Sequence, residues 1–250
     1  MKHFAYLFLV GALLASCATP ETSADKGGAD STQVAADTVA MVTSWPGYYT
    51  GALPCADCPG IETTLWVRSD STFVLQQRYG DSDSIPTGTI GQWHVVNNML
   101  TIGQDGDKPD FWRSTAKGIE EVDEMGQPFE GDLNYTLEKL ADEIGDAIPR
   151  MRLAGTFTYV ADAQSFQPCR SHYTWPCAAG MDMGEEEGEP LVKFTNVELQ
   201  QAYRKGVKKA GDPWVVEVMC TMGMGPAMEG DGADEYLYLE QVLRTLESCP

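Results

Sequence analysis

The chain contains 250 residues, and its 37 acidic side chains outnumber 17 basic ones, which gives a formal net charge of -20 at pH 7. A surface this acidic repels the phosphates of nucleic acid and of anionic lipid headgroups, so both are excluded as ligands. The sequence has no phosphate-binding loop, no Gly-x-Ser-x-Gly motif and no His-Glu-x-x-His motif, and His94 and His172 have no partner motif. These absences predict a protein that is not an enzyme.

The first residues predict export and lipid anchoring. An apolar run over residues 4–14 follows a short polar end and is too short to span a bilayer, which is typical of a signal peptide. Residues 14–17 read Leu-Ala-Ser-Cys and fit the lipobox of bacterial lipoproteins. We therefore predict a signal peptide over 1–16 and an acylated Cys17 that holds the protein on a membrane. Ala18, in place of the aspartate that retains lipoproteins at the inner membrane, favours the outer membrane, facing the periplasm.

Residues 17–44 predict a flexible tether. They are rich in Ala, Thr, Ser, Asp and Gly, and they contain no aromatic side chain. A segment of this composition cannot bury enough apolar surface to offset the entropy lost on ordering. The globular part is therefore expected to begin at Trp45.

Residues 45–141 predict an all-β domain. Short runs rich in β-branched and aromatic residues alternate with turn sequences such as Ser-Asp-Ser at 69–71 and Asn-Asn at 97–98. Such a meander, with no convincing helix, favours a small up-and-down barrel, which removes exposed sheet edges. The predicted strands cover 48–53, 61–68, 72–79, 87–95, 99–103, 111–115, 118–122 and 134–140.

Residues 142–149 look like a linker, and residues 150–250 predict a second β domain. Thr195 and Glu198 have the spacing of a capping box, so a helix to about residue 205 is expected, with Leu199 and Tyr203 on one face. Five strands with one helix between the third and the fourth follow the order of an OB-fold barrel. The predicted strands cover 153–160, 172–175, 190–194, 214–219 and 236–243, and residues 161–169 are expected to form polar turns.

Six cysteines remain after Cys17 is set aside, and an even number in an exported chain indicates complete pairing. Cys55 and Cys58 are close in sequence and are expected to pair locally. The other four all follow residue 165 and are expected to pair among themselves: Cys169, Cys177, Cys220 and Cys249.

The C-x-x-C of Cys55 and Cys58 allows three interpretations. A redox-active pair requires a helix N-terminus to lower the thiol pKa, and Pro59-Gly60 followed by β-branched residues opposes a helix here. A metal site would use the two thiolates. A structural disulfide is favoured, and because its loop is short, its entropic contribution is expected to be small and its effect local to the barrel rim.

Methionine-rich segments form a candidate copper site. Thioethers are soft ligands that suit Cu(I), and they survive in an oxidising compartment. The surrounding glycines predict loops at Met-Asp-Met (181–183) and across residues 220–228. Methionines that merely fill gaps are the alternative explanation. The candidate ligands are Met181, Met183, Met222, Met224 and Met228.

Two segments, together with the lipobox at Cys17, resemble the NlpE family, whose members are called copper resistance or copper homeostasis lipoproteins. The first segment, 49–63, surrounds the C-x-x-C with Tyr-x-Gly-x-Leu-Pro before it and Gly-Ile-Glu-Thr after it. The second, 159–169, reads Tyr-Val-Ala-Asp-Ala-Gln-Ser-Phe-Gln-Pro-Cys. The two segments are independent of each other, and the resemblance covers essentially the whole mature chain.

The resemblance implies a lipocalin-like barrel followed by an OB-fold, in an outer-membrane sensor of envelope stress that signals to the histidine kinase CpxA. It also implies a long-range disulfide, which by position joins Cys169 to Cys249. The chain departs from the family pattern by an insertion over 180–189 and by two further cysteines, Cys177 and Cys220, which we infer to pair with each other.

The sequence also allows two other functions. One is a periplasmic protein that binds copper and controls its level. The other is a lipocalin-like carrier of a small apolar ligand, in which aromatic side chains of the first barrel line a cavity. The candidate lining residues are Trp66, Phe73, Trp93 and Trp112.

Overall fold

The computed structural model describes the globular part of the chain in six stretches, 44–80, 85–103, 108–141, 150–160, 163–180 and 194–250. The predicted signal peptide, Cys17, the tether up to residue 43 and the linker over 142–149 lie outside these stretches. Among the described residues, no helix combines the length and the apolar character that a membrane crossing needs.

Eight strands form the first barrel. Each strand is antiparallel to the next along the chain, and the eighth returns to the first, where Thr50 pairs with Glu138. The predicted up-and-down barrel is confirmed, and every strand lies within about two residues of its expected bounds. The strands are β1 (Gly47–Leu53), β2 (Ile61–Val67), β3 (Thr72–Tyr79), β4 (Thr87–Val96), β5 (Met99–Ile102), β6 (Asp110–Ser114), β7 (Gly118–Val122) and β8 (Thr136–Lys139).

Turn chemistry sets the register of this barrel. Asn97 and Asn98, between β4 and β5, have φ values of 50° and 61°, the left-handed conformation that a two-residue hairpin turn requires and that asparagine tolerates. Between β2 and β3, Asp70 accepts hydrogen bonds from the backbone N–H and the hydroxyl of Thr72. Both hairpins therefore place alternate apolar side chains, such as Leu65 and Phe73, inside the barrel.

Five strands and one helix form the second barrel. Its elements are β9 (Met151–Val160), β10 (Ala163–Pro168), β11 (Trp175–Ala179), α1 (Asn196–Gly206), β12 (Trp214–Pro226) and β13 (Ala233–Thr245). β9 pairs with β10 and β12, β10 also pairs with β11, and β13 lies between β12 and β11, parallel to β11. This closed order, with the helix between the third and fourth strands, confirms the predicted OB-fold.

The strand bounds of the second barrel differ from the sequence-based expectation in three places, and the strand expected at 190–194 lies outside the described residues except for its last position. β10 occupies a stretch that was expected to form polar turns. Little in the sequence indicated this strand, because only two of its side chains, Phe166 and Pro168, are buried. β11 begins at Trp175 rather than ending there. β12 continues to Pro226, past the expected end at Met219, and its side chains alternate between buried and half-buried positions up to Met222.

The helix α1 begins as the capping box predicts. The Thr195 hydroxyl accepts from the N–H of Glu198, and the Glu198 carboxylate accepts from the N–H of Thr195. Leu199 and Tyr203 are buried, and the Tyr203 ring meets Phe157 edge-on at 5.4 Å between centroids. The helix thus packs its apolar face against the core of the second barrel.

The two barrels share one 13-stranded sheet, because β4 of the first pairs in parallel with β9 of the second. Val74 and Ile90, on the outer face of the first barrel, belong to the apolar core cluster of the second. A Cβ atom on Gly91 would lie 2.9 Å from the carbonyl oxygen of Arg170, so glycine allows this close approach. The contact between the barrels is therefore part of the folded core.

An ion pair reinforces this contact. Both guanidinium nitrogens Nη1 and Nη2 of Arg68 donate to the carboxylate of Glu235, each at 2.9 Å. The indole Nε1 of Trp175 donates to the same carboxylate at 3.0 Å, and Arg68 also lies over the ring of Trp66 at 4.6 Å. Because this ion pair is bidentate and largely buried, it fixes the orientation of the two barrels as well as holding them together.

Candidate functional site

The Cys169–Cys249 disulfide joins two distant parts of the second barrel. Cys169 directly follows β10 and donates its backbone N–H to the carbonyl of Ala154, while Cys249 lies beyond the end of β13. Cys169 is half-buried and Cys249 is exposed. The bond is therefore fixed on one side by the sheet and reachable by solvent on the other.

This disulfide ties down the end of the strand that closes the barrel. β13 pairs with both β11 and β12, and Leu246 just after it donates its N–H to Val215. The two cysteines are 80 residues apart, and the chain-entropy estimate for a loop of that length is about 4.5 kcal/mol. Loss of the bond would act first on the C-terminal segment over 246–250.

A cleft of about 600 Å³ lies beside this disulfide, between the two barrels. Arg152, Arg170 and Arg244 line it, and the Nε of Arg244 donates to Glu217 at 2.6 Å. In a chain with net charge -20, this cleft gathers positive side chains next to a bond that depends on redox conditions. It can receive an acidic group of a partner protein.

The Cys55–Cys58 disulfide lies in the loop between β1 and β2. Strands flank this loop on both sides, so neither sulfur stands at a helix N-terminus, where a thiol would be activated. Pro54, Cys55 and Ala56 line the mouth of the first barrel. The loop therefore shapes the rim of that barrel.

Cys177 and Cys220 are free and buried in the structure, so the expected bond between them is not formed. Cys177 pairs with Leu237 and Cys220 with Leu239, which places β13 between them. Two strand spacings amount to about 9.5 Å, whereas a disulfide requires Cα atoms within about 7 Å. Burial raises the pKa of each thiol far above the ordinary value for cysteine. Both thiols are therefore unreactive in the folded state.

The candidate copper ligands do not share one loop. Met222 lies in β12 and is 2% exposed, so the expected loop is a strand there and this thioether fills the core. Met224 and Met228 are exposed, and Met181 and Met183 lie outside the described residues. Those described residues contain no group of three or more His, Cys, Asp or Glu side chains suited to a metal. Copper contact by the methionines stays a prediction.

The aromatic side chains proposed to line the first barrel divide between two roles. Phe73 and Trp112 are buried in its core, and Trp93 packs against that core while its Nε1 donates to the carbonyl of Arg68. Trp66 points the other way and packs against the core of the second barrel, because it has the opposite parity to Leu65 along β2. Trp66 is therefore an interface residue and not a lining residue.

A cavity of about 500 Å³ opens at the mouth of the first barrel, beside the Cys55–Cys58 loop. Trp112 lines it together with two carboxylates, Asp110 and Glu121, which the sequence reasoning did not single out. The sequence Asp-Phe-Trp could have predicted this position of Asp110, because side chains two residues apart in a strand share a face, and Trp112 is an apolar core residue.

Comparisons with known proteins match both barrels. The NlpE N-terminal domain family matches residues 49–132, and the NlpE C-terminal OB domain family matches residues 147–249. Lipoprotein NlpE of Escherichia coli strain K12 is 30% identical over 171 residues, which are 68% of this chain. The match spans 63% of that relative's own length.

Two solved structures are also similar. The crystal structure of the Cpx pathway activator NlpE from Escherichia coli is 25% identical, with 82% of this chain and 98% of that chain covered and a TM-score of 0.33. A putative lipoprotein from Shewanella oneidensis is 31% identical, with 39% of this chain and 91% of that chain covered and a TM-score of 0.34. Since the two domain matches follow one another in the order of the two barrels, the chain belongs to the NlpE family of lipoproteins.

Proposed function

We propose that this protein is a lipid-anchored sensor of cell-envelope stress that signals through protein contacts and has no enzymatic activity. Its membership of the NlpE family and its likeness to a protein described as a Cpx pathway activator support this role. An acyl anchor at Cys17 and a tether over 17–44 would hold the two barrels in the periplasm, and Ala18 favours the outer membrane. The proposed partner is an envelope sensor histidine kinase similar to CpxA.

The position of the Cys169–Cys249 disulfide is the observation that carries this proposal. The bond is partly exposed, it lies at a cleft between the barrels, and it holds the segment that follows β13. A sensor needs an element with two states that an envelope condition selects. A reachable bond that closes an 80-residue separation is such an element.

The two states differ in one covalent bond. The chain is exported with two thiols, and an oxidising disulfide protein of the envelope accepts two electrons and two protons as the Cys169–Cys249 bond forms. When that oxidation fails, the thiols persist and the segment over 246–250 is held only by weaker contacts such as the Leu246 hydrogen bond. Release of this segment would expose the cleft and its arginine side chains to the kinase.

The test compares the two disulfides in the acylated protein. Cys249→Ser should raise the output of an envelope-stress reporter in a bacterial strain that lacks its own NlpE-type protein, because it mimics failed oxidation. Cys55→Ser is the matched control, since it also removes one sulfur from one disulfide, and it should leave the output near that of the wild type. Immunoblots must show equal amounts of all three proteins.

Equal reporter output for wild type and Cys249→Ser would contradict the disulfide mechanism. A reporter that stays silent for every form, including overproduced wild type, would contradict the sensor role itself. Output that rises equally with Cys55→Ser would assign the signal to general misfolding instead of the C-terminal bond.

A further inference from the structure

The cavity at the mouth of the first barrel has the size and walls of a ligand site. Its volume of about 500 Å³ lies within the range of about 300–1,000 Å³ typical of small-molecule sites. Apolar side chains form much of the wall, and they include Leu53, Ile61, Leu75 and Leu133. The Cys55–Cys58 loop forms part of the rim.

Two carboxylates face this cavity from neighbouring strands. Glu121 on β7 lies directly opposite Trp112 on β6, and Asp110 precedes Trp112 by two residues, so all three share the inner face. Neither carboxylate forms a hydrogen bond or ion pair among the residues that the structure describes. The cavity therefore combines apolar side chains with two acids that have no hydrogen-bond or ion-pair partner among the described residues.

Partial desolvation acts on both carboxylates, although Asp110 at the open end of the cavity is exposed and Glu121 is half-buried. Desolvation raises the pKa of Asp110, and desolvation together with the nearby Asp110 raises the pKa of Glu121. Lys108 acts in the opposite direction on both groups, and Arg170 does so on Asp110, yet neither cation offsets the burial. A positive group placed between the two carboxylates would relieve this unfavourable state.

The indole N–H of Trp112 lies behind the surface of this cavity. Trp112 is 2% exposed, and its indole Nε1 is buried with no hydrogen-bond acceptor among the described residues. A buried donor in this state costs free energy, because it has lost water without gaining another acceptor. Because the ring of Trp112 borders the cavity, this N–H can report on a molecule bound there.

We propose that the mouth of the first barrel binds a small apolar molecule that carries a protonated amine. The apolar body lies against Leu53, Leu75 and Leu133, and the ammonium group lies between the carboxylates of Asp110 and Glu121. This site is separate from the disulfide cleft, and it does not depend on the sensor role.

The test uses three probes of equal chain length, namely octylamine, 1-octanol and octanoate. The mature chain from residue 18, exported without acylation so that both disulfides form, keeps every described residue and needs no detergent. Octylamine should bind about tenfold more tightly than octanol, and octanoate more weakly than octanol. The indole N–H resonance of Trp112 should shift on addition of octylamine, which places the probe in this cavity.

The matched variants are Glu121→Gln and Glu120→Gln. Glu120 is the neighbouring residue on the outer face, where it pairs with Arg113, so both variants lose one negative charge from the same strand. Glu121→Gln should reduce the affinity for octylamine about fivefold to tenfold and leave that for octanol unchanged. Glu120→Gln should change neither.

Three results would overturn the proposal. They are equal affinities for octylamine and octanol, tightest binding of octanoate, and no binding of any probe by a protein with an unchanged thermal midpoint. If Glu121→Gln fails to fold, Asp110→Asn replaces it, because Asp110 stands at the open end of the cavity and its side chain is more exposed. Affinity for octylamine that is unchanged in Asp110→Asn would then count against the acid pair.

Discussion

The two disulfides stand in contrasting settings on the two barrels. Cys55–Cys58 closes a separation of three residues at the rim of a barrel whose mouth holds a cavity of about 500 Å³. Cys169–Cys249 closes a separation of 80 residues on a barrel whose core is filled by side chains from all five strands and the helix. Bonds of the same kind therefore serve different ends, since one shapes a local loop and the other constrains the end of the chain.

The largest expected effect is the loss of stability when the long-range disulfide is removed. Removal of the long-range bond by Cys169→Ser with Cys249→Ser should lower the free energy of unfolding by about 4.5 kcal/mol, since the unfolded chain loses an 80-residue constraint. Removal of the short bond by Cys55→Ser with Cys58→Ser should cost about 2 kcal/mol. Urea unfolding of both double variants measures the difference, and equal costs would contradict the comparison.

Truncation inside each barrel compares a filled core with a cavity wall. Leu237→Ala should destabilise the protein by about 3 kcal/mol, because Leu237 is fully buried in the second barrel and its neighbours cannot close the void. Leu75→Ala should cost about 1 kcal/mol, because Leu75 is half-buried and already borders open space in the first barrel. The midpoints and slopes of urea unfolding report both values, and a larger loss for Leu75→Ala would show that the first barrel is the more tightly packed.

The contact between the barrels predicts a smaller effect. Glu235→Gln should cost about 1–2 kcal/mol, because it removes the bidentate carboxylate from Arg68, whose side chain is 14% exposed and keeps, among the described residues, only the longer ion pair with Asp70 at 3.5 Å. Glu62→Gln is the matched control: its ion pair with Arg78 is largely exposed, and its loss should cost below about 0.5 kcal/mol. If thermal unfolding shows the same loss for both, the ion pair between the barrels contributes no more than a surface pair.

The free thiols allow the second barrel to be probed locally. Cys177 and Cys220 should resist maleimide labelling in the folded wild type, because both are buried and burial raises the pKa of both thiols. Labelling of both should become faster in Cys169→Ser with Cys249→Ser, since β13, which lies between them, then loosens. Mass spectrometry of labelled peptides gives the rates. Rapid labelling of the oxidised wild type would show that the barrel opens without loss of the bond.

The smallest effect concerns the pH dependence of the first barrel. The pKa values of Asp110 and Glu121 are raised from 3.8 and 4.5, so the folded state holds their protons more tightly than the unfolded state does. Their contribution to stability is therefore complete below these ordinary values and is lost as the pH rises through the raised ones. Glu121→Gln should thus be slightly more stable than wild type at neutral pH and equal to it in acid. A variant that is less stable at neutral pH would mean that the carboxylate supports the fold.

The first barrel could be predicted almost strand by strand, whereas the second could not. In the first, asparagine and aspartate turns separate runs with clear period-two alternation, so local sequence determines both the ends and the register. In the second, β10 has only Phe166 and Pro168 buried, and β12 runs through glycines that favoured a loop. Pairing with β9 and β13 overrides these local preferences, because a closed barrel satisfies the backbone of both strands.

The candidate sites were only partly visible in the sequence. The C-x-x-C and the NlpE-like segments pointed to the two loops that hold the disulfides. The failure of Cys177 and Cys220 to pair depends on the strand order, which no spacing along the chain reveals. The role of Trp66 depends on a second barrel that covers the outer face of β2.

The sequence by itself determined the lipobox, the two β domains, the helix cap and the family. Each of these depends on residues that are neighbours along the chain, so local chemistry suffices to recognise them. The tertiary structure decided which cysteines lie within bonding distance, where the barrels meet, and that Asp110 and Glu121 face one cavity. These features depend on strand order and burial, which bring together side chains that are far apart in sequence.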